Sequence, residues 1–353
     1  MRDELAHMTL DLCAMPSETG NEKAIADWIE ARCHESTGGA GIQRVGNSII
    51  CDPHGAHQAE LPRVALVGHL DTVKCAENQP LKIDDGRVYG CGATDMKAGV
   101  AVMLALLERW RELEKARPVW VFYDGEEGPF EGNGLNAVFA GGILQGLDFA
   151  FILEPTDGSV QPGCMGTMHA LITVRGKRAH AARPWQGENA LYSAAPLLER
   201  FAARPRRPVQ FGELVFYEVM TVTQARTENS PNVVPDAVTL NVNLRFAPGN
   251  TAEQAEAELR ELVGDDGEIE ITDSAPAGEV VTDHPLLKSW LQREGLAMQP
   301  KQAWTDLARF TSHGIPAVNF GPGETAQAHQ AGECCSIDSL ETSYGSLRRF
   351  FGA

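Results

Sequence analysis

Side chains able to hold a metal ion recur in this 353-residue chain directly after apolar runs. His69 closes the run in "RVALVGHLDTV", Asp95 stands in "YGCGATDMKAG", and Glu126 and Glu127 are neighbours in "FYDGEEGPFEGNG". Glu154 ends "FAFILEPT", and His329 lies in "FGPGETAQAHQ". Carboxylates and imidazoles offer only oxygen and nitrogen donors, which suits zinc or a similar divalent ion. Two ions fit the donor count better than one, because an aspartate can bridge two cations with its two oxygens. The expected assignment gives His69 and Glu154 to one ion, Glu127 and His329 to the other, and Asp95 to both. Ions ~3.5–4 Å apart can clamp an attacking water and a scissile oxygen together. Asp71, two residues beyond His69, can return toward the far ring nitrogen, fixing its tautomer and strengthening the donor. Glu126 is then left as general base, to take a proton from water and pass it to a leaving amine.

Taken singly, each of these residues has an ordinary structural use. Asp95 could cap the following helix, Glu126–Glu127 could be a solvated loop pair, and either histidine could be a hydrogen-bonded core residue. What favours the metal is that all of them follow strands, since sites in open α/β sheets form at the carboxyl ends of strands. Rival signals are weaker. "GCGATD" begins like a dinucleotide fingerprint but lacks its third glycine, and "FGPGETA" lacks the Lys and Ser/Thr of a phosphate loop.

The elements that must position these groups alternate along the first 155 or so residues. Residues 2–14 and 22–33 are expected as helices, "RVALVGHL" as a strand, "MKAGVAVMLALLERW" as a helix, and "PVWVFYD" and "LDFAFILE" as strands. The texture then changes to β-α-β-β-α-β: "TMHALITVRG", "NALYSAAPLLERFAA", "ELVFYEVMTVTQAR", "DAVTLNVNLRFAP", "TAEQAEAELRELVG" and "EIEITDSAP". That order predicts a ferredoxin-like α+β unit. The remainder resumes the α/β style and closes on a helix around 336–351. The expected architecture is a large discontinuous α/β domain (1–166 and 278–353), with helices on a mixed sheet, and an inserted ferredoxin-like domain (167–277). With 30 Lys plus Arg against 48 Asp plus Glu, the formal charge of −18 argues against nucleic acid or an anionic membrane as partner. The start "MRDELAHMTL" is acidic where a secretory signal would be basic and then apolar, so the cytoplasm is expected. Eight scattered cysteines without a CxxC pair are expected as free thiols in a reducing compartment.

"VGHLDTV", "YGCGATDMKAG", "DGEEG", "ILEPT" and "FGPGETAQAHQAGE" together resemble the ordered motifs of the aminoacylase, acetylornithine deacetylase and carboxypeptidase G family of dinuclear zinc hydrolases. The resemblance runs over nearly the whole chain. "EPTDG", "VRGKRAHAARPW", "NVVPD", "NLRFAPG" and "WTDLARF" are more similar still to the Gram-positive desuccinylases of that family. It implies two Zn2+, with Co2+ or Mn2+ as substitutes, and hydrolysis of N-succinyl-LL-2,6-diaminopimelate to succinate and LL-2,6-diaminopimelate. An acetylornithine deacetylase or related N-acyl-amino-acid hydrolase is the alternative. The resemblance supports the same metal and base residues and adds His180, which would polarise the scissile carbonyl from a lid and dimerisation domain, as part of a homodimer. Asn232 and Arg245 match substrate-binding positions. Arg183 and Arg309 are further candidates, since a substrate with three carboxylates suits guanidinium forks.

Overall fold

The computed structural model describes residues 1–55 and 60–353. The chain forms two compact units: Met1–Gly163 with Val281–Gln299 and Arg309–Ala353, and Cys164–Val280 with Pro300–Ala308. The short segment Pro300–Ala308 therefore belongs with the second unit, whereas the sequence reading left it inside 278–353. Its backbone accounts for this, because the carbonyl of Ala303 accepts from the N–H of Met165 at 3.1 Å.

In chain order the main strands are β1 (Ile42–Val45), β2 (Ser48–Cys51), β3 (Arg63–His69), β4 (Arg117–Tyr123), β5 (Phe149–Pro155), β6 (Gln161–Pro162), β7 (Gly166–Arg175), β8 (Arg207–Phe211), β9 (Leu214–Arg226), β10 (Ala237–Phe246), β11 (Glu268–Ala275) and β12 (Ala317–Gly321). The main helices are α1 (Arg2–Cys13), α2 (Lys23–Thr37), α3 (Ala98–Leu107), α4 (Ala195–Ala203), α5 (Ala252–Val263), α6 (Pro285–Glu294) and α7 (Ile337–Phe351).

The first unit is built on a sheet of order β1-β2-β4-β3-β5-β12-β6. Its centre is parallel, with β3 beside both β4 and β5 and β12 beside β5, while β2 and β6 pair antiparallel at the flanks. The mixed sheet agrees with the expected class. The central strands are buried along almost their whole length, which explains their unbroken apolar runs. All ten residues of α3, "AGVAVMLALL", are buried, as a helix apolar on every side must be. It packs among β3, α1 and α7. On α6, Trp290 is 1% exposed and meets Phe151, Phe320 and Phe350 edge-on.

The second unit has an antiparallel sheet of order β8-β9-β10-β7-β11. Setting aside the edge strand β8, that is the strand order of a ferredoxin-like fold. β10 alternates strictly: Val238, Leu240, Val242, Leu244 and Phe246 are buried, and the residues between them are half-exposed. The buried face packs against Leu197 and Phe201 of α4 and against Ala255, Leu259 and Val263 of α5. A reciprocal cap between Thr251 and Gln254 starts α5.

Three features depart from expectation. The strands β1, β2 and β8 have four or five residues each, too short for their period to stand out in the sequence. The helix α6 was not anticipated either. The cysteines are not all free, because Cys75 and Cys91 form a disulfide across 16 residues, with the other six unpaired. No helix among the described residues is long and apolar enough to cross a membrane.

Trp290→Ala is expected to destabilise the chain by about 3–5 kcal/mol, because it empties an aromatic cluster that cannot close around the gap. A denaturant midpoint within error of the wild type would show that the cluster is not part of the core.

Candidate metal centre

Each candidate donor in the first unit reaches one place through its own element. β3 delivers His69 as its last residue, paired across the parallel ladder with Tyr123 at the end of β4. After β4 the chain turns at Gly125, where φ is +76° and a Cβ would lie 2.9 Å from the carbonyl oxygen of Gly132. Only glycine fits there. The turn aims the backbone N–H groups of Glu126 and Glu127 at Asp71, whose two carboxylate oxygens accept one each at 3.0 Å. Thr19 donates its hydroxyl to the same carboxylate at 2.9 Å. β5 ends with Glu154, 4% exposed, and Pro155. Asp95 is not a helix cap; it sits in an irregular turn, Ala93–Lys97, with extended backbone (φ −122°, ψ 92°) ahead of α3. His329 has a left-handed backbone, φ +60°, which non-glycine residues seldom adopt.

The geometry centres on Asp95. Its Oδ1 lies 3.2 Å from Nε2 of His69, and its Oδ2 lies 3.4 Å from Nε2 of His329. Glu127 Oε1 is 3.0 Å from the His329 Nε2, and Glu154 Oε1 is 3.8 Å from the His69 Nε2. Donor atoms of His69, Asp95 and Glu127 all lie within 4.8 Å of one another. This donor set fits a pair of divalent ions, since each imidazole faces a different oxygen of one carboxylate and has a second carboxylate beside it. Asp71 supports His69 differently from the expected way. The closer contact to Nδ1 is the Asp71 backbone carbonyl at 3.0 Å, with the carboxylate at 3.5 Å. Nδ1–H therefore donates to Asp71, which leaves Nε2 as the donor to a metal.

Burial opposes charge on His69, yet its hydrogen bonds to Asp71 and Asp95 raise its pKa well above 6.5. His329 is pushed up to about 10 by its hydrogen bonds to Asp95 and Glu127. Burial works against ionising Asp95, but the two imidazoles facing it hold its pKa far below the usual carboxylate range. Without metal, the positive charge among these acids is carried by protons on the rings.

The remaining candidates lie elsewhere. His180, Arg183 and Asn232 are exposed on the second unit, and Arg245 is half-buried there, on the half-exposed face of β10. The His180 ring accepts at Nδ1 from the N–H of Ala182 at 3.0 Å. Arg245 donates to the side-chain oxygen of Asn243 at 3.1 Å. Arg309 belongs to the first unit and is 2% exposed. Its guanidinium bonds the Asn136 side chain and the Phe130 carbonyl and lies over the Phe130 ring. Those contacts brace the loop after Glu127. Glu333 was not anticipated. It closes the motif "FGPGETAQAHQAGE" four residues after His329, and it lies against the backbone of the Asp95 turn.

The sequence model described as peptidase family M20/M25/M40 matches residues 65–352. A succinyl-diaminopimelate desuccinylase of Corynebacterium glutamicum is 34% identical over 97% of this chain and 95% of its own length. An acetylornithine deacetylase of Myxococcus xanthus is 27% identical over 88% of this chain and 84% of its own. Among solved structures, a tripeptidase of Staphylococcus aureus superposes with a TM-score of 0.80 at 22% identity, covering 99% of this chain and 98% of that one.

Metal binding must displace the ring protons, because only a neutral imidazole ligates. The affinity for Zn2+ should therefore rise with pH between the ordinary 6.5 and the raised value of about 10 at His329, with net proton release. The metal-free fold should change in the opposite sense. A raised folded-state pKa contributes stability that is complete below 6.5 and is lost as pH climbs through about 10. Calorimetric titration in buffers of different ionisation enthalpy tests the first point. Proton-neutral binding with a pH-independent constant would contradict it.

Proposed function

Given that the chain belongs to peptidase family M20/M25/M40, we propose that it is a two-metal amide hydrolase that cleaves N-succinyl-LL-2,6-diaminopimelate to succinate and LL-2,6-diaminopimelate, in lysine and diaminopimelate synthesis. The observation that carries the chemistry is Asp95, with one carboxylate oxygen turned to each imidazole. The observation that favours the substrate is 34% identity over nearly full length to a desuccinylase, against 27% over less of the chain for the deacetylase.

In this reading His69 and Glu154 hold one ion, Glu127 and His329 the other, and Asp95 is shared. Zn2+ is the proposed ion, with Co2+ or Mn2+ as substitutes. A bound pair of such ions polarises the scissile carbonyl and makes the attacking water more acidic. Glu126 takes that water's proton and delivers it to the leaving amine nitrogen. Its backbone N–H, held by Asp71, keeps it beside the ligand Glu127. His180 is assigned to hydrogen-bond the scissile carbonyl, and Asn232, Arg183 and Arg245 to hold the substrate's polar groups and carboxylates. The second unit is accordingly read as the lid.

The same unit is the proposed dimerisation surface. Trp185 and Tyr192 are 77% and 78% exposed, and Leu191 and Leu198 add exposed apolar area within residues 185–198. Rings of that size are seldom left to water. A homodimer acting on a small N-acyl amino acid in the cytoplasm completes the reading.

Zinc-loaded protein is expected to release succinate from N-succinyl-LL-2,6-diaminopimelate, and faster than acetate from N-acetylornithine. Preference for the acetylated substrate would replace the desuccinylase reading with the deacetylase one. Glu126→Gln should lower kcat by about 10²–10⁴ while metal content is unchanged; undiminished turnover would remove Glu126 from the chemistry. Replacing Trp185 and Tyr192 by Asp should yield monomers in light scattering, and an intact dimer would place the interface elsewhere.

A further inference from the structure

The turn that presents Asp95 is fastened to a residue 238 positions away. Glu333 is 3% exposed. Its Oε2 accepts from the N–H of Gly92 at 2.7 Å, and its Oε1 accepts from the N–H groups of Thr94 and Asp95 at 2.8 and 3.0 Å. Its backbone carbonyl also accepts from the N–H of Gly90 at 3.2 Å. The turn is not helical at Asp95, so these amides have no place in the ladder of α3 and would lie buried without an acceptor. At Gly92 the backbone is left-handed (φ +75°), and a Cβ would stand 2.5 Å from Cγ2 of Thr72, so the turn requires glycine there. Three converging N–H donors around one carboxylate form charge-assisted bonds, roughly twice as strong as neutral ones. A glutamine there would direct an NH2 group at amides that are themselves donors.

The placement links the two sides of the centre. Glu333 follows His329 by four residues, and the strand it leads into, Cys334–Ser336, pairs with Arg87–Tyr89, just before the Asp95 turn. One short segment thus carries the His329 imidazole and grips the backbone behind the carboxylate that faces it.

We propose that Glu333 is a positioning residue that sets the orientation of Asp95, so that its carboxylate offers one oxygen to each metal site. The inference rests on the reading of Asp95 as the shared ligand. Its test is metal affinity rather than turnover. Glu333→Gln in the full-length chain is expected to bind Zn2+ 10–100-fold more weakly in competition with a chromophoric chelator, the usual cost of losing a group that orients a ligand. The visible absorption of the Co2+-loaded variant should change in band position or intensity. Glu333→Asp keeps the charge but shortens the reach, and its affinity should fall between the two. A folded Glu333→Gln variant with wild-type Zn2+ affinity and an unaltered Co2+ spectrum overturns the proposal, whatever its melting temperature. If the glutamine variant does not fold, wild-type affinity in Glu333→Asp overturns it instead. Failure of the wild type itself to bind two ions refutes the two-metal reading, so the two failures are told apart.

Discussion

Asp95 stands between two imidazoles, and neither of its oxygens has a choice of neighbour. Oδ1 meets His69, Oδ2 meets His329, and Glu127 and Glu154 each stand beside one of the same ring nitrogens. Carboxylates gathered this closely repel one another unless positive charge lies among them. Protonated rings supply it in the metal-free chain, and divalent ions would supply more of it at closer range. The rest of the first unit follows from this requirement. Parallel strands must end together to bring His69, the Glu126–Glu127 pair and Glu154 to one edge of the sheet, and a wholly apolar helix must fill the space behind them. Asp71 then serves twice, orienting the His69 ring and anchoring the backbone of Glu126 and Glu127.

Four of the six candidate residues directly follow a segment with a strong sequence signal. His69, Glu126, Glu127 and Glu154 come within a few residues of apolar runs that could only be buried strands, so chain direction alone put them at the same edge. Asp95 and His329 were legible through their motifs rather than their surroundings, since both sit on irregular backbone. In the second unit the half-buried strand β10 was legible in the alternation of "DAVTLNVNLRFAP", where every second residue is buried.

What was not legible depends on contacts between distant segments. Glu333 reaches the Asp95 turn across 238 positions, and Cys75 meets Cys91 only because the loops after His69 and before Asp95 lie side by side. No local pattern encodes either meeting. The packing of Arg309 was hidden for a related reason. A guanidinium suits a carboxylate substrate and a carbonyl-lined loop equally well, and its burial beside Phe130 and Asn136 appears only in the folded chain. The short strands β1, β2 and β8 offer too few residues for a period-two pattern to rise above chance.

The central claim is that Asp95 is shared by two ions. Anomalous diffraction at the zinc edge, on crystals grown with excess Zn2+, addresses it most directly. The account predicts two peaks about 3.5–4 Å apart, the spacing of paired catalytic metals, one between His69 and Asp95 and the other between His329 and Asp95. A single peak, or two peaks with the Asp95 carboxylate turned away from both, would contradict it.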